Sequence, residues 1–192
     1  MSQNKIKPEY ILATGAPGSR WSGVVKGIYY SPDINQSDYR KKNEFYFNKD
    51  DKLDDEKKPN HFATYFGAGQ KYGVQREEWD KPFKKDSEGI KIIKSHDFAY
   101  QLDYLTKYVQ PIIIVYRSPI DCFEWWHEAG GWNIKYPNYK HYIDDDMLFL
   151  EIENQCAEIQ RFLHYNKSYI TKCENPYELC DNMDISLSLI HI

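Results

Sequence analysis

The sequence predicts an α/β protein with a three-layer α/β/α arrangement around a central parallel sheet. Three observations lead there. Short continuous apolar runs recur at Ile11, Ile90 and Pro111, each too short for a buried helix and rich in β-branched residues, as expected of strands covered on both faces. Each run is followed by a segment with helical apolar spacing rather than by a hairpin turn, and strands that alternate with helices pair in parallel. The 192 residues are also enough for one domain with a substantial core, and too few for two full domains.

The elements follow in order. Residues 11–14 form the first strand. After a glycine turn, Trp21, Val24, Val25 and Ile28 fall on one side of a helix. Residues 31–60 break the pattern with Pro32, Asn35 and Asp38, then a run of mixed charge over 48–59 that reads as a solvated loop. Residues 61–73 are aromatic and glycine-rich, and read either as a lid on the acceptor side of a site or as an ordinary insertion loop. Strand character returns at 90–95. Residues 97–108 read as a helix with Phe98, Leu102 and Leu105 on one face. Residues 111–116 have the uniform apolarity of a central parallel strand. Ser118 and Pro119 open another helix as N-cap and first-turn proline. Gly130, Gly131 and Pro137 mark a loop. Residues 144–165 form the longest helix, acidic at its start as the helix dipole favours, with Met147, Leu148, Ile152, Ile159 and Phe162 or Leu163 inward. Residues 168–171 read as a last strand. Residues 1–186 are taken as a single domain, with 31–89 as insertion and acceptor-side loops.

Composition narrows the function. A net charge of −4 and a pI near 5.9 give no basic footprint for nucleic acid. No apolar run approaches the roughly 20 residues of a membrane helix, and the N-terminus has no apolar signal core. Cys122, Cys156, Cys173 and Cys180 lack paired or zinc-ligand spacing, so a reduced, cytoplasmic protein is expected. The 17 tyrosines fit either an aromatic-lined pocket or the codon bias of an AT-rich genome. The closing Leu187-Ser-Leu-Ile-His-Ile192 matches a translation of the transposase end sequence used in DNA library preparation. It is read as a non-native tail beyond which the natural C-terminus is missing, the alternative being a genuine apolar strand, and His191 is left out of any site.

The chemistry concentrates in Gly15-Ala-Pro-Gly-Ser-Arg-Trp-Ser-Gly23. A strand, a tight glycine turn and a helix start aim backbone N–H groups at one spot, which favours an anion. The loop is close to a Walker A loop but lacks its Lys-Ser/Thr ending. Two further polar motifs, Lys94-Ser-His96 and Arg117-Ser-Pro119, also fall at the C-terminal ends of predicted strands. In a parallel sheet those ends line one crevice, where ligands of such folds bind. His96 alone reads equally as an N-cap or surface group, Arg117 as a helix-start cation paired with Asp121 or Glu124, and Arg20 as a solvated charge. Trp125 and Trp126 read as packing residues, and Trp21 lies where an adenine or acceptor ring could stack. Asp144, Asp145 and Asp146 read as a helix start rather than a metal site.

Taken together, these motifs resemble the sulfotransferases that use 3′-phosphoadenosine 5′-phosphosulfate (PAPS). The glycine loop is similar to their 5′-phosphosulfate loop, Lys91-Ile-Ile-Lys-Ser-His96 to their Lys-Thr-His segment, and Ile112-Ile-Ile-Val-Tyr-Arg-Ser-Pro-Ile-Asp121 to their strand ending in Arg-x-Pro-x-Asp. Order and spacing agree over about residues 9–30 and 90–130. The resemblance implies a P-loop NTPase-like fold and transfer of a sulfuryl group from PAPS to a hydroxyl or amine of a small-molecule or carbohydrate acceptor. It releases 3′,5′-ADP and requires no metal, nucleic acid or membrane. It implies that Gly15, Ala16, Pro17, Gly18, Ser19, Arg20, Trp21, Ser22 and Gly23 cradle the 5′-phosphosulfate, with the amides of Gly18 to Ser22 and the hydroxyls of Ser19 and Ser22 donating. Arg117, with Ser118 nearby, takes the 3′-phosphate, His96 accepts the acceptor's proton, and Lys94 stabilises sulfuryl oxygens.

Two positions depart from the family. Its loop lysine or arginine falls at Gly18, and Arg20, reaching back as a catalytic cation, is the candidate to supply the charge, with Lys26, further along the helix, a weaker one. Its second 3′-phosphate ligand, a serine, falls at Trp125, which is kept with Arg117 and Ser118 among the donor-binding positions. The alternatives are a divergent P-loop kinase or nucleotide hydrolase, against which the Trp21 in the lysine's place argues, and a catalytically degenerate nucleotide- or glycan-binding module.

Overall fold

A computed structural model of the chain describes residues 8–37, 76–81, 83–108, 110–133 and 142–183. The charged run at 48–59, the aromatic segment at 61–73 and the tail at 187–192 lie outside these residues.

Strands β1 (Tyr10–Gly15), β2 (Lys91–Lys94) and β3 (Ile112–Val115) form a parallel sheet in the order β2-β1-β3. Ala13 lies opposite Lys94 and Gly15 opposite Val115, so the three strands end side by side. β1 is buried along its whole length, and it holds the centre of the described sheet. β3, expected there for its uniform apolarity, pairs only with β1 among the described residues and is only partly buried. Ile34 adds a single parallel bridge to Ile90 beside β2.

Side-chain alternation along the strands feeds two layers. On one face Ile11, Ala13, Ile92 and Ile113 meet Trp21, Val25 and Ile28 of helix α1 (Trp21–Tyr29). The same cluster takes Cys180, with Leu179 and Met183 beside it, from helix α5 (Pro176–Met183). On the other face Tyr10, Leu12 and Ile93 meet Trp79, Phe98 and Leu105. Ile112 and Ile114 reach Leu102, Ile159 and Phe162 of the helices outside them. Each fully buried Ile or Leu contributes roughly 1.5–3 kcal/mol by leaving water, so these two layers hold the sheet.

The segment expected as one helix at 97–108 is a 3-10 turn (His96–Gln101) followed by a single α-helical turn, α2 (Leu102–Leu105). Ala99, Leu102 and Leu105 are all buried. Phe98 is buried with them, so the inward residues are those expected although the winding differs. Helix α3 (Pro119–Glu128) starts as expected, with the Ser118 hydroxyl accepting from the Asp121 N–H at 3.1 Å and Pro119 in the first turn. Helix α4 (Asp145–Tyr165) is capped by Asp144, which accepts from the Met147 N–H at 2.8 Å. Leu148, Ile152, Ile159 and Phe162 point inward, but Met147 is exposed, and Glu151, Gln155 and Cys156 complete the buried face instead. The strand expected at 168–171 is absent: Lys167–Tyr169 is a 3-10 turn, and the next residues lead, largely exposed, into α5. Among the described residues no helix is long and apolar enough to cross a membrane.

A polar cluster closes the N-terminal end of the sheet. The buried Tyr10 presents its hydroxyl to Asp80 at 2.6 Å and Glu9 at 2.9 Å. Lys91 and Arg76 add ion pairs to Asp80 at 2.5 and 3.3 Å. Burial works against the Asp80 charge, but hydrogen bonds from Lys91 and Tyr10 outweigh it and bring its pKa down to about 2.

Candidate functional site

The opposite, C-terminal end of the sheet carries the motifs. β1 runs into the loop Ala16–Arg20 and then α1. Gly18 has φ 78°, a left-handed conformation that suits glycine. Its hydrogen-only face lies against α3: a Cβ there would land on the Cys122 carbonyl, with Trp126 Cβ at 3.1 Å. Arg20, the N-cap of α1, is also left-handed, at φ 62° and ψ 22°. Left-handed residues thus stand on either side of Ser19. The loop spends two of its amides internally, Ser19 N–H donating to the Ala16 carbonyl at 3.1 Å and Gly23 N–H to that of Arg20 at 2.9 Å. The amides of Trp21 and Ser22, at the opening of α1, have no acceptor within the helix, as at any helix start. The Ser19 hydroxyl is fully buried without a hydrogen-bond partner among the described residues, 2.5 Å from where a Gly15 Cβ would stand. It therefore lies under the loop rather than on its open side. An anion-holding reading of the loop rests on backbone amides, and the expected Ser19 hydroxyl donor faces inward.

β2 delivers the second motif to the same place. His96 Nδ1–H donates to the Gly15 carbonyl at 2.6 Å, which leaves Nε2 as the lone-pair nitrogen of the neutral ring. The Thr14 hydroxyl donates to the His96 carbonyl at 3.4 Å. Burial pushes the His96 pKa down to about 4, partly opposed by the Gly15 bond and assisted by the charge of Lys94. The imidazole is therefore neutral at pH 7 and able to take a proton, though it is a weak base and only 5% exposed. Trp21 stands between the two polar groups, its ring edge-on to His96 at 4.9 Å and 5.5 Å from Lys94 Nζ. Trp21 is buried, so its ring packs under the loop and offers no open face for an adenine or acceptor to stack on. Lys94 is 1% exposed at the end of β2.

β3 delivers the third motif. Arg117 is exposed, and its guanidinium stands 5.2 Å from the Trp125 ring centroid. Asp121 and Glu124, the carboxylates expected to neutralise it, form no ion pair with it. Arg20 reaches the same ring at 4.4 Å and pairs with Glu128 at 3.2 Å. Arg20 is thus turned to α3 and does not reach back over Gly18. Trp126 is a packing residue, buried among Trp132, Tyr142 and Leu148, whereas Trp125 is half-buried and gathers two cations.

That Trp125 gathers two cations, and that Glu128 pairs with Arg20, is not legible in any motif. The available signal was their spacing of three on α3, which puts both on one helix face, opposite the loop that carries Arg20. Asp144 and Asp145 have structural partners: Asp144 caps α4, and Asp145 accepts from Trp132 Nε1 at 2.6 Å and pairs with His127 at 3.1 Å.

Comparison with protein-family models, with curated proteins and with solved structures finds no match to this chain.

Proposed function

We propose that the protein is a sulfotransferase-like enzyme of P-loop NTPase-like architecture that moves a sulfuryl group from PAPS to a hydroxyl or amine of a small-molecule or carbohydrate acceptor. The observation that carries this reading is the meeting of three separate motifs at one end of a parallel sheet. The glycine loop, Lys94 with His96, and Arg117 follow adjacent strands, and His96 is tied directly to Gly15 at 2.6 Å.

The reaction makes one S–O or S–N bond and breaks one S–O bond. The acceptor oxygen or nitrogen attacks sulfur, the bond from sulfur to the 5′-phosphate oxygen breaks, and the acceptor's proton goes to His96 Nε2. Charge spreads over oxygens in the transition state, so the protein's task is positioning and neutralisation. The amides at the start of α1 face the 5′ group, Lys94 neutralises sulfuryl or bridging oxygens, and Arg117, which has no carboxylate partner among the described residues, offers its fork to the 3′-phosphate.

Binding tests this first. 3′,5′-ADP without magnesium is expected to raise the melting temperature more than ADP or ATP does. Stabilisation by ATP with magnesium that equals or exceeds it favours a kinase or hydrolase instead. Transfer of label from PAPS to a panel of alcohols, amines and sugars then tests the chemistry. His96→Gln is expected to abolish transfer while 3′,5′-ADP binding persists, and unchanged transfer removes His96 as the base. A second reading, a nucleotide-binding module without catalysis, is favoured by the deep burial of His96 and Lys94. It predicts 3′,5′-ADP binding with no transfer to any acceptor.

A further inference from the structure

The two departures from the sulfotransferase pattern meet in space. Arg20 and Arg117 come from different strand ends, yet both guanidiniums lie within 5.2 Å of the Trp125 ring. We propose that Arg20, Trp125 and Arg117 form one clamp for the 3′-phosphate of the donor, with Glu128 as the resident counter-ion that the phosphate displaces from Arg20. This rests on the PAPS reading above, and it moves Arg20 from the transferring group to the far end of the nucleotide.

Four features support it. An indole face attracts cations, so Trp125 does for two arginines what a hydroxyl ligand cannot: it holds both against their mutual repulsion. A phosphate monoester carries up to two negative charges near neutral pH, and two guanidinium forks match it in charge and in hydrogen-bond geometry. The carboxylate already on Arg20 is a surface partner, with side chains 59% and 64% exposed, and such pairs are weak enough for a dianion to replace. Finally, the left-handed backbone at Arg20 sends its side chain toward α3, a conformation that a residue with a Cβ adopts only when its surroundings hold it there.

The test compares 3′,5′-ADP with 5′-AMP, which differ only in the 3′-phosphate, by titration calorimetry. Arg20→Gly suits the left-handed backbone, so it removes the guanidinium without threatening the fold. Arg20→Gly and Arg117→Ala are each expected to weaken 3′,5′-ADP by about tenfold or more, as loss of a charge-assisted hydrogen-bonding group does, and to leave 5′-AMP within about threefold. Glu128→Gln is expected to tighten 3′,5′-ADP alone. If Arg20→Gly weakens both nucleotides equally, Arg20 serves the 5′ group and the clamp is wrong. If it weakens neither, the clamp is likewise wrong. In both cases a wild-type preference for 3′,5′-ADP leaves the PAPS reading standing. If the wild type binds 3′,5′-ADP no more tightly than 5′-AMP, the clamp and the PAPS reading fall together.

Discussion

Replacing Gly18 with alanine tests the packing that shapes the loop. Gly18 sits at φ 78°, where a residue with a Cβ is disfavoured by about 1–2 kcal/mol. The added methyl would also land on the Cys122 carbonyl and crowd Trp126 Cβ at 3.1 Å. The first obstacle is backbone in the middle of α3 and cannot swing aside, so overpacking adds about 1–3 kcal/mol. The expected loss is about 2–5 kcal/mol, a large share of the roughly 5–15 kcal/mol that holds an ordinary domain together. Gly23 is the control. It is exposed in the first turn of α1, with open space where a Cβ would stand, so Gly23→Ala is expected to gain about 0.5–1 kcal/mol. Urea unfolding followed by tryptophan fluorescence, with midpoints compared at a common slope, reads both. Equal stability of Gly18→Ala and the wild type would refute the steric reasoning. Gly18→Lys, a larger side chain at the same left-handed position, is expected to lose at least as much stability as the alanine variant.

Acid titration separates the two ends of the sheet. His96 has a folded pKa of about 4 against 6.5 when unfolded, so the unfolded chain takes up the proton first. Stability is full above about pH 6.5 and falls by about 3 kcal/mol as the pH drops through 4, and His96→Gln is expected to flatten the curve in that window. Asp80 is depressed to about 2 from 3.8, so its contribution is present above about pH 4 and is lost as the pH falls through 2. It is about half exposed, so the loss is smaller, and Asp80→Asn removes only this lower step; urea midpoints between pH 2 and 8 resolve both. Among the four cysteines Cys122, Cys156 and Cys180 are buried and Cys173 is half-buried. Ellman's reagent is expected to modify one thiol quickly in the native protein and the other three only as it unfolds, with Cys173→Ser abolishing the fast phase.

The strands and the long helices were readable because their signals are local. The apolar run before Gly15, the Ser118–Pro119 start of α3 and the Asp144 cap of α4 each depend on residues within one or two turns. What the sequence hid was set by packing at a distance. Which strand is central depends on layers contributed by α1, α4 and α5, and β3 is no less apolar than β1. α5 has few apolar residues and was missed, because its burial rests on Cys180, Leu179 and Met183 meeting a helix far away in sequence. Among site residues, the placement of Gly15, Lys94, His96 and Arg117 at one end of the sheet followed from each lying at or just beyond the end of a strand in a parallel sheet. The inward turn of the Ser19 hydroxyl, the burial of the Trp21 ring and the swing of Arg20 onto Trp125 follow from side-chain contacts that no spacing encodes.

Gly18, Arg20 and Trp125 belong to one packing arrangement. Because Gly18 has no side chain, the loop lies directly on the Cys122 carbonyl. Cys122 is one turn before Trp125 on α3, so this contact sets how near the Trp125 ring comes to the loop. The ring then stands 4.4 Å from the guanidinium of Arg20, whose left-handed backbone directs it there. A lysine at 18 would push α3 off the loop and take Trp125 out of reach of Arg20. The cation Arg20 of this loop stands two positions after Gly18, and α3 rather than the loop itself holds it. Gly18→Lys with Arg20→Gly checks this coupling. If the geometry is right, the pair does not recover the 3′,5′-ADP affinity lost by Arg20→Gly alone. Recovery would show that a charge at either position serves the same anion, and that the contact with α3 is incidental.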